Sequence, residues 1–243
     1  MIWLQTYNAD FQVADGSSAA TAIFSGVKTK RSTIGYDYQI DNNDPGSVAN
    51  ATELETILDW AQAAGKSTGF VTTGRVTDGS TAALYGHSYN PSKMECDSPQ
   101  DMDDLAYQMI KADPGKSTNV IMGGGYDAFV PAGTGMPNRP VRGIVYPWCL
   151  YDSLTSYLFQ NLDDSAHWSC NRTDEQNLLS EWLDNHPENS SMVTDVTQLN
   201  NVSPAETDHI LGLFARADMA FEDKRDTLID PSLSLMVEKA IEV

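Results

Sequence analysis

Positive charge is scarce in this chain. Lys and Arg total 15 against 34 Asp and Glu, giving a formal net charge of −19. A field of that sign repels polyanions, so nucleic acid and anionic membranes are set aside as partners, while cations are favoured. No stretch approaches the roughly 20 apolar residues of a membrane-spanning helix. Cysteine is nearly as sparse: Cys96, Cys149 and Cys170 form no C-x-x-C pair, which argues against a zinc ribbon or a thioredoxin-type site and leaves a Cys149–Cys170 disulfide as one option. His87, His167, His186 and His209 are scattered without i, i+4 or H-x-H spacing, so no zinc site is expected from them. Internal repeats are absent, and the residues Met1 to Gln5 show neither the basic start nor the apolar core of a signal peptide.

What the chain does contain points to a packed interior. Hydrophobic residues make up 41% of the 243, with five Trp among them, enough for one large α/β domain. The stretch 12–28 reads as a helix with Asp15 at its N-cap, Ser17 and Ser18 in the first turn, alanines through the middle and Gly26 as the stop. After a polar loop with a short strand near 34–38, helical spacing of Leu54, Ile57, Leu58 and Ala61 predicts a helix over 50–65. A strand over 67–73, a short helix from Asp78, an amphipathic helix over 101–112 and a buried strand over 119–125 follow. Residues 131–147 are rich in Gly and Pro. Beyond them the reading is a helix over 173–184, a polar excursion over 187–203, a strand over 209–214 and a helix over 231–242. Helix and strand alternate at short connections, which is an α/β pattern.

Few residues suggest chemistry by themselves. A helix start lined with small hydroxyl side chains, as at Asp15, Gly16 and Ser17, offers free N–H groups and a positive dipole end to an oxyanion; a small-residue helix packed under a sheet would look the same. Asp78 and Ser80 could offer hard oxygen ligands to Mg²⁺, although helix capping asks for the same residue types. The triple glycine Gly123 to Gly125 permits close backbone approach but lacks the G-x-G-x-x-G spacing of a dinucleotide site. Sequons at Asn50, Asn171, Asn189 and Asn201 suit a secreted glycoprotein.

The order of the segments carries a resemblance. Thr6-Tyr-Asn8, Val13-Ala-Asp15 with Ala20-Thr-Ala22 and Gly26-Val-Lys28, Ala64-Gly-Lys-Ser67 with Val71-Thr-Thr73 and Arg75-Val76, and Ile121-Met-Gly-Gly-Gly125 resemble the alkaline phosphatases, chiefly the animal-type secreted branch. Asn171-Arg-Thr173, Leu211-Gly-Leu-Phe214 and Asp230-Pro-Ser-Leu233 with Met236 continue it in the same order. The resemblance implies a homodimeric, extracellular or cell-surface phosphomonoesterase using zinc and magnesium. In it a serine at a helix N-terminus is phosphorylated, an arginine clamps the phosphate, and zinc-bound water releases it.

Matched residue by residue, that site departs from the family. The nucleophile position, directly after Asp15, is Gly16, with Ser17 as the only fallback; the phosphate-clamping arginine position is Pro91, with Lys93 nearby. Asp78 and Ser80 match the magnesium-type positions. Asp174, Phe214 (through its carbonyl) and Asp230 match a calcium-type site weakened by Ala215, which replaces a carboxylate. The zinc ligands would fall before Met1 and after Val243. The family's early disulfide would use Cys96, yet its partner region 41–50 has no cysteine, which leaves Cys96 free or differently paired.

The expectation is therefore one alkaline-phosphatase-like α/β domain over 1–243. It is a three-layer sandwich with a mixed, mostly parallel central sheet, incomplete at both ends and carrying a loop-rich insertion over 131–203. The expected function is that of the family, with this chain non-catalytic by itself. The rival readings are a structural or interaction subunit on a phosphatase scaffold, within a homo-oligomer or larger assembly, and a partial sequence of an active enzyme whose membrane attachment, if any, lies in other segments.

Overall fold

The computed structural model describes residues 6–97, 102–137, 170 and 172–243. At its centre are four strands: β1 (Gly69–Arg75), β2 (Val120–Gly124), β3 (Ser190–Val193) and β4 (His209–Leu213). They pair in the order β1-β2-β4-β3, and every pairing is parallel, so the described sheet has no antiparallel member where a mixed sheet was expected. Parallel strands need covering on both faces, and the side-chain alternation supplies it. Ile121, Leu211, Leu213 and Phe70 point into one core, while Val120, Met122, Ile210 and Val193 point into the other.

Helices close both faces. On the first lie α1 (Gly16–Ser25), α2 (Ile57–Ala63), α3 (Gly79–Ala82), α4 (Leu105–Lys111) and α5 (Leu178–Asn185), contributing Ala20, Leu58, Ala82, Leu105, Met109, Leu178 and Trp182. On the second lie α6 (Val196–Asn200) and α7 (Leu233–Glu242), contributing Leu199 and Met236. The result is the expected three-layer α/β architecture.

Helix starts are decided by capping rather than by apolar spacing. The helix expected over 50–65 begins only at Ile57, because Thr56 caps it and Asp59 returns a bond to the Thr56 N–H at 2.7 Å, completing a capping box. Ile57, counted on the apolar face, stands exposed. Asp104, Asn177 and Ser232 likewise accept first-turn N–H bonds, so α4, α5 and α7 begin later than their apolar patterns suggested. The polar excursion expected over 187–203 in fact holds edge strand β3 and helix α6, whose polar residues face solvent while Val193 and Leu199 are buried.

Cys96 and Cys170 form a disulfide across 74 positions of sequence. This corrects the Cys149–Cys170 option: Cys170 is taken by Cys96, which is not free. Cys149 and His167 lie outside the described residues, as does most of the Gly- and Pro-rich stretch. Two residues beyond Cys170, Arg172 bridges to Pro131, so the chain on either side of 138–169 is fastened to the first core.

Closing a loop of this length restrains the unfolded chain by about 4 kcal/mol in the chain-entropy treatment. Cys96→Ser is accordingly expected to lower unfolding free energy by roughly 2–5 kcal/mol in urea titration, with a Cys96–Cys170 peptide recovered from the non-reduced parent digest. An unchanged midpoint, or a different cysteine pair, would contradict the pairing.

Candidate functional site

In parallel α/β sheets, ligands gather at the carboxyl ends of the strands. At the carboxyl end of β1, two helix starts meet. Asp78 directs its carboxylate to the Ser80 N–H at 2.9 Å and caps α3, whereas α1 begins after Asp15 with no side-chain cap at all. The Asp15 carboxylate is instead turned to the Ser18 hydroxyl and to Asn8 Nδ2 (3.3 Å), and Ser18 Oγ also reaches Asn8 Oδ1 at 2.8 Å. Burial opposes ionisation of Asp15, but bonds from Ser18, the Ser32 backbone and Asn8 outweigh it and hold its pKa below the ordinary carboxylate value. The first turn of α1 thus has no side-chain cap and stands beside an ionised acid.

Glycine makes the approach of the two starts feasible. A Cβ on Gly16 would lie 2.6 Å from Ser80 Oγ, and one on Gly79 would press on Ser17 Oγ and lie 3.3 Å from Pro91. Gly16 therefore packs against the Ser80 hydroxyl, and Gly79 against the Ser17 hydroxyl and Pro91, so that α1 and α3 meet in direct contact.

Joined to this contact through Asp78 is a cluster that sequence reasoning did not single out. Arg75, the last residue of β1, forks onto Glu95 (2.9 and 3.1 Å), meets Asp218 at 2.6 Å and reaches Asp78 at 3.4 Å. Burial works against the charge of Arg75, yet its bonds to Glu95 and the charges of Asp218 and Asp78 hold its pKa above normal. For buried Glu95, desolvation pushes the carboxyl pKa up against the pull of Arg75 and of the Thr77 hydroxyl (3.2 Å). No local pattern could have found the cluster, since Asp218 stands 143 positions from Arg75.

The triple glycine also finds its reason here. A Cβ on Gly124 would strike the Ala217 carbonyl, one on Gly123 would lie 2.7 Å from Thr72 Cγ2, and Gly125 (φ 97°) donates its N–H to Ala217 at 2.8 Å. The close approach is made by the protein's own 215–218 loop rather than by a ligand, and it carries Asp218 to Arg75.

Metal positions fit less well. The carboxylate of Asp78 already caps α3 and faces Arg75, Ser80 turns its hydroxyl towards Gly16, and among the described residues no group of three or more His, Cys, Asp or Glu could hold a metal ion. The described residues do not make up a magnesium or zinc site, so no chemical step is routed through either ion. Asp174 lies against Arg172; Phe214 follows β4 and lies in the second core; Asp230 is buried just before α7. Of the sequons, Asn50 and Asn201 are exposed, Asn189 is exposed but donates its amide to Asp208 at 3.0 Å, and Asn171 lies outside the described residues.

The sequence profile of the alkaline phosphatases matches residues 1–243. The chain belongs to the alkaline phosphatase family. It is similar to an alkaline phosphatase of Gadus morhua (32% identical over 246 residues, 98% of this chain and 46% of that one). It is also similar to the tissue-nonspecific isozyme of Rattus norvegicus (34% identical over 247 residues, 98% and 42%). The chain thus spans less than half the length of these relatives. In fold it resembles the crystal structure of Thermus thermophilus alkaline phosphatase (TM-score 0.65, 22% identity, 98% of this chain and 37% of that one). A cold-active alkaline phosphatase from Shewanella sp. superposes at TM-score 0.60 (23% identity, 98% and 42%). In terms of the alkaline phosphatase family, Gly16 and Pro91, which the resemblance puts at the nucleophile and clamp positions, both lie where α1 and α3 meet, Gly16 against Ser80 and Pro91 against Gly79. Arg75 does not replace the clamp, because its guanidinium is engaged by three carboxylates.

Removing Arg75 would leave Glu95 buried without its partner. Arg75→Met is expected to destabilise by about 3–5 kcal/mol, and adding Glu95→Gln should recover part of that loss. Urea unfolding of the two variants checks this; equal midpoints for Arg75→Met and the parent would show that the cluster does not hold the site together.

Proposed function

We propose that this chain carries an alkaline-phosphatase-type oxyanion pocket that binds phosphate or the phosphoryl group of a phosphomonoester without forming the covalent intermediate. The supporting observation is the start of α1: a ten-residue helix whose first-turn N–H groups have no side-chain cap, beginning at a glycine where the family places its nucleophile. Backbone N–H groups need no particular side chain, so anion binding is compatible with Gly16, but glycine has no oxygen to phosphorylate. Ser17 is one residue further along the helix, about 1.5 Å in rise and a turn of about 100° away from that position, a displacement large against catalytic tolerance. Without the bidentate arginine at position 91, the phosphoryl group also lacks its planar clamp.

Affinity is expected to be weak, with Kd of about 1 mM, since the ionised Asp15 and the acidic surface oppose an anion. The family and the sequons support an extracellular or cell-surface location; no helix among the described residues is long and apolar enough to cross a membrane. Any magnesium at Asp78 and Ser80 would have to displace Arg75 and the α3 cap. A second reading, a subunit within an oligomer or larger assembly, is favoured by Leu233, Val237 and Ile241, which form an exposed stripe at four-residue spacing on α7.

Titration of the full chain with inorganic phosphate, followed by ³¹P and amide NMR, should shift the Gly16, Ser17 and Ser18 amides in the millimolar range, while p-nitrophenyl phosphate with Zn²⁺ and Mg²⁺ present shows no turnover. Gly16→Asp, which brings a second carboxylate to the helix start, should abolish the shifts. Unmoved amides in the parent would overturn the pocket, and turnover would overturn its non-catalytic character.

A further inference from the structure

We propose that His186 and His209 form an acid-sensitive clasp at the amino end of the sheet, in which His186 holds a proton on each ring nitrogen and acid loosens the fold by adding a proton to His209 beside it. His186 follows the last residue of α5 and is buried. Its Nδ1 donates to the Trp182 carbonyl at 2.9 Å and its Nε2 to the Lys116 carbonyl at 3.1 Å. A carbonyl only accepts, and a neutral imidazole has one donor and one acceptor nitrogen. The neutral ring would turn a lone pair onto one of the two carbonyls, whereas the imidazolium satisfies both. The carboxyl end of a helix favours positive charge, and so does the Trp182 ring, which lies 4.8 Å away between centres.

His209, the first residue of β4, stacks on the same imidazole at 4.3 Å between centres, with the planes tilted by 41°. Burial and the nearby His186 both oppose charge on His209 and hold its pKa below the ordinary 6.5, against the opposite pull of Asp208. The other groups about the pair are neutral. Ser190 donates its hydroxyl to the His186 carbonyl at 2.6 Å, Asn189 donates its amide to Asp208 at 3.0 Å, and Lys116 presents its carbonyl. The two rings thereby join the end of α5, the segment before β2 and the start of β4. A base whose pKa is lowered by folding binds fewer protons in the folded chain than in the unfolded one. Its contribution to stability is complete above about pH 6.5 and is lost as pH falls through the lower folded value.

Urea unfolding of the full chain between pH 7.5 and pH 5 tests the clasp against His209→Gln, which cannot take up the second proton. Across this interval the unfolding constant of the parent is expected to rise by up to about 30-fold more than that of the variant. Equal rises would overturn the proposal. Ring ¹⁵N spectra of the parent need no variant: at about pH 6.5 both nitrogens of His186 should read as protonated and His209 as neutral. The reverse order, or the same state in both rings, would overturn it. In His186→Gln, which keeps a donor but no charge, His209 should take up its proton at a higher pH than in the parent; an unchanged His209 titration would also overturn it.

Discussion

The guanidinium of Arg75 is the constraint on which the rest of the site depends. It ends β1 and joins three segments: the turn into α3 through Asp78, the loop before the disulfide through Glu95, and the loop after β4 through Asp218. Each partner is fixed from its other side. Glu95 precedes Cys96, which is bonded to Cys170; Asp218 is delivered by the glycines of β2 packed against the Ala217 backbone; Asp78 caps α3. A buried ion cluster of this kind adds little net stability over an apolar isostere. What it sets is where the two helix starts stand.

A second guanidinium, Arg172, organises the segment after Cys170 by the same physics, with every donor and acceptor of the Arg172–Asp174 pair engaged. Together the two arginines show how an acid-rich chain uses its few cations: they are drawn inward to carboxylates contributed by distant segments, while the excess acid remains at the surface.

Much of the fold was legible in the sequence because it rests on local chemistry. Gly26 ends α1 in the left-handed conformation (φ 77°), the β-branched and aromatic stretch after Lys66 forms β1, and the strand before the triple glycine is buried on both faces. Helix starts were less legible, since Thr56, Asp104 and Asn177 decide them by capping against the apolar spacing that seemed to continue upstream. Strand β3 was hidden because an edge strand of four residues needs only Val193 fully buried. At the site, Asp15, Gly16, Ser17, Asp78, Ser80 and Pro91 were identified in sequence and share one end of the sheet, whereas Arg75, Glu95 and Asp218 were not, their pairing being set by topology alone.

On the proposed reading, the start of α1 offers backbone donors to a phosphoryl group while position 16 has no oxygen to bond to phosphorus. The Ser80 hydroxyl lies against the place a residue-16 side chain would fill, and Ser18, the most buried of Ser17, Ser18 and Ser80, is bonded to Asp15 and Asn8. The most direct measurement is an acid-quenched incubation of the full chain with p-nitrophenyl phosphate and the family's metals, followed by intact-mass and phosphopeptide analysis. The account predicts unmodified protein at every time point. A phosphoserine at Ser17, Ser18 or Ser80 would contradict it.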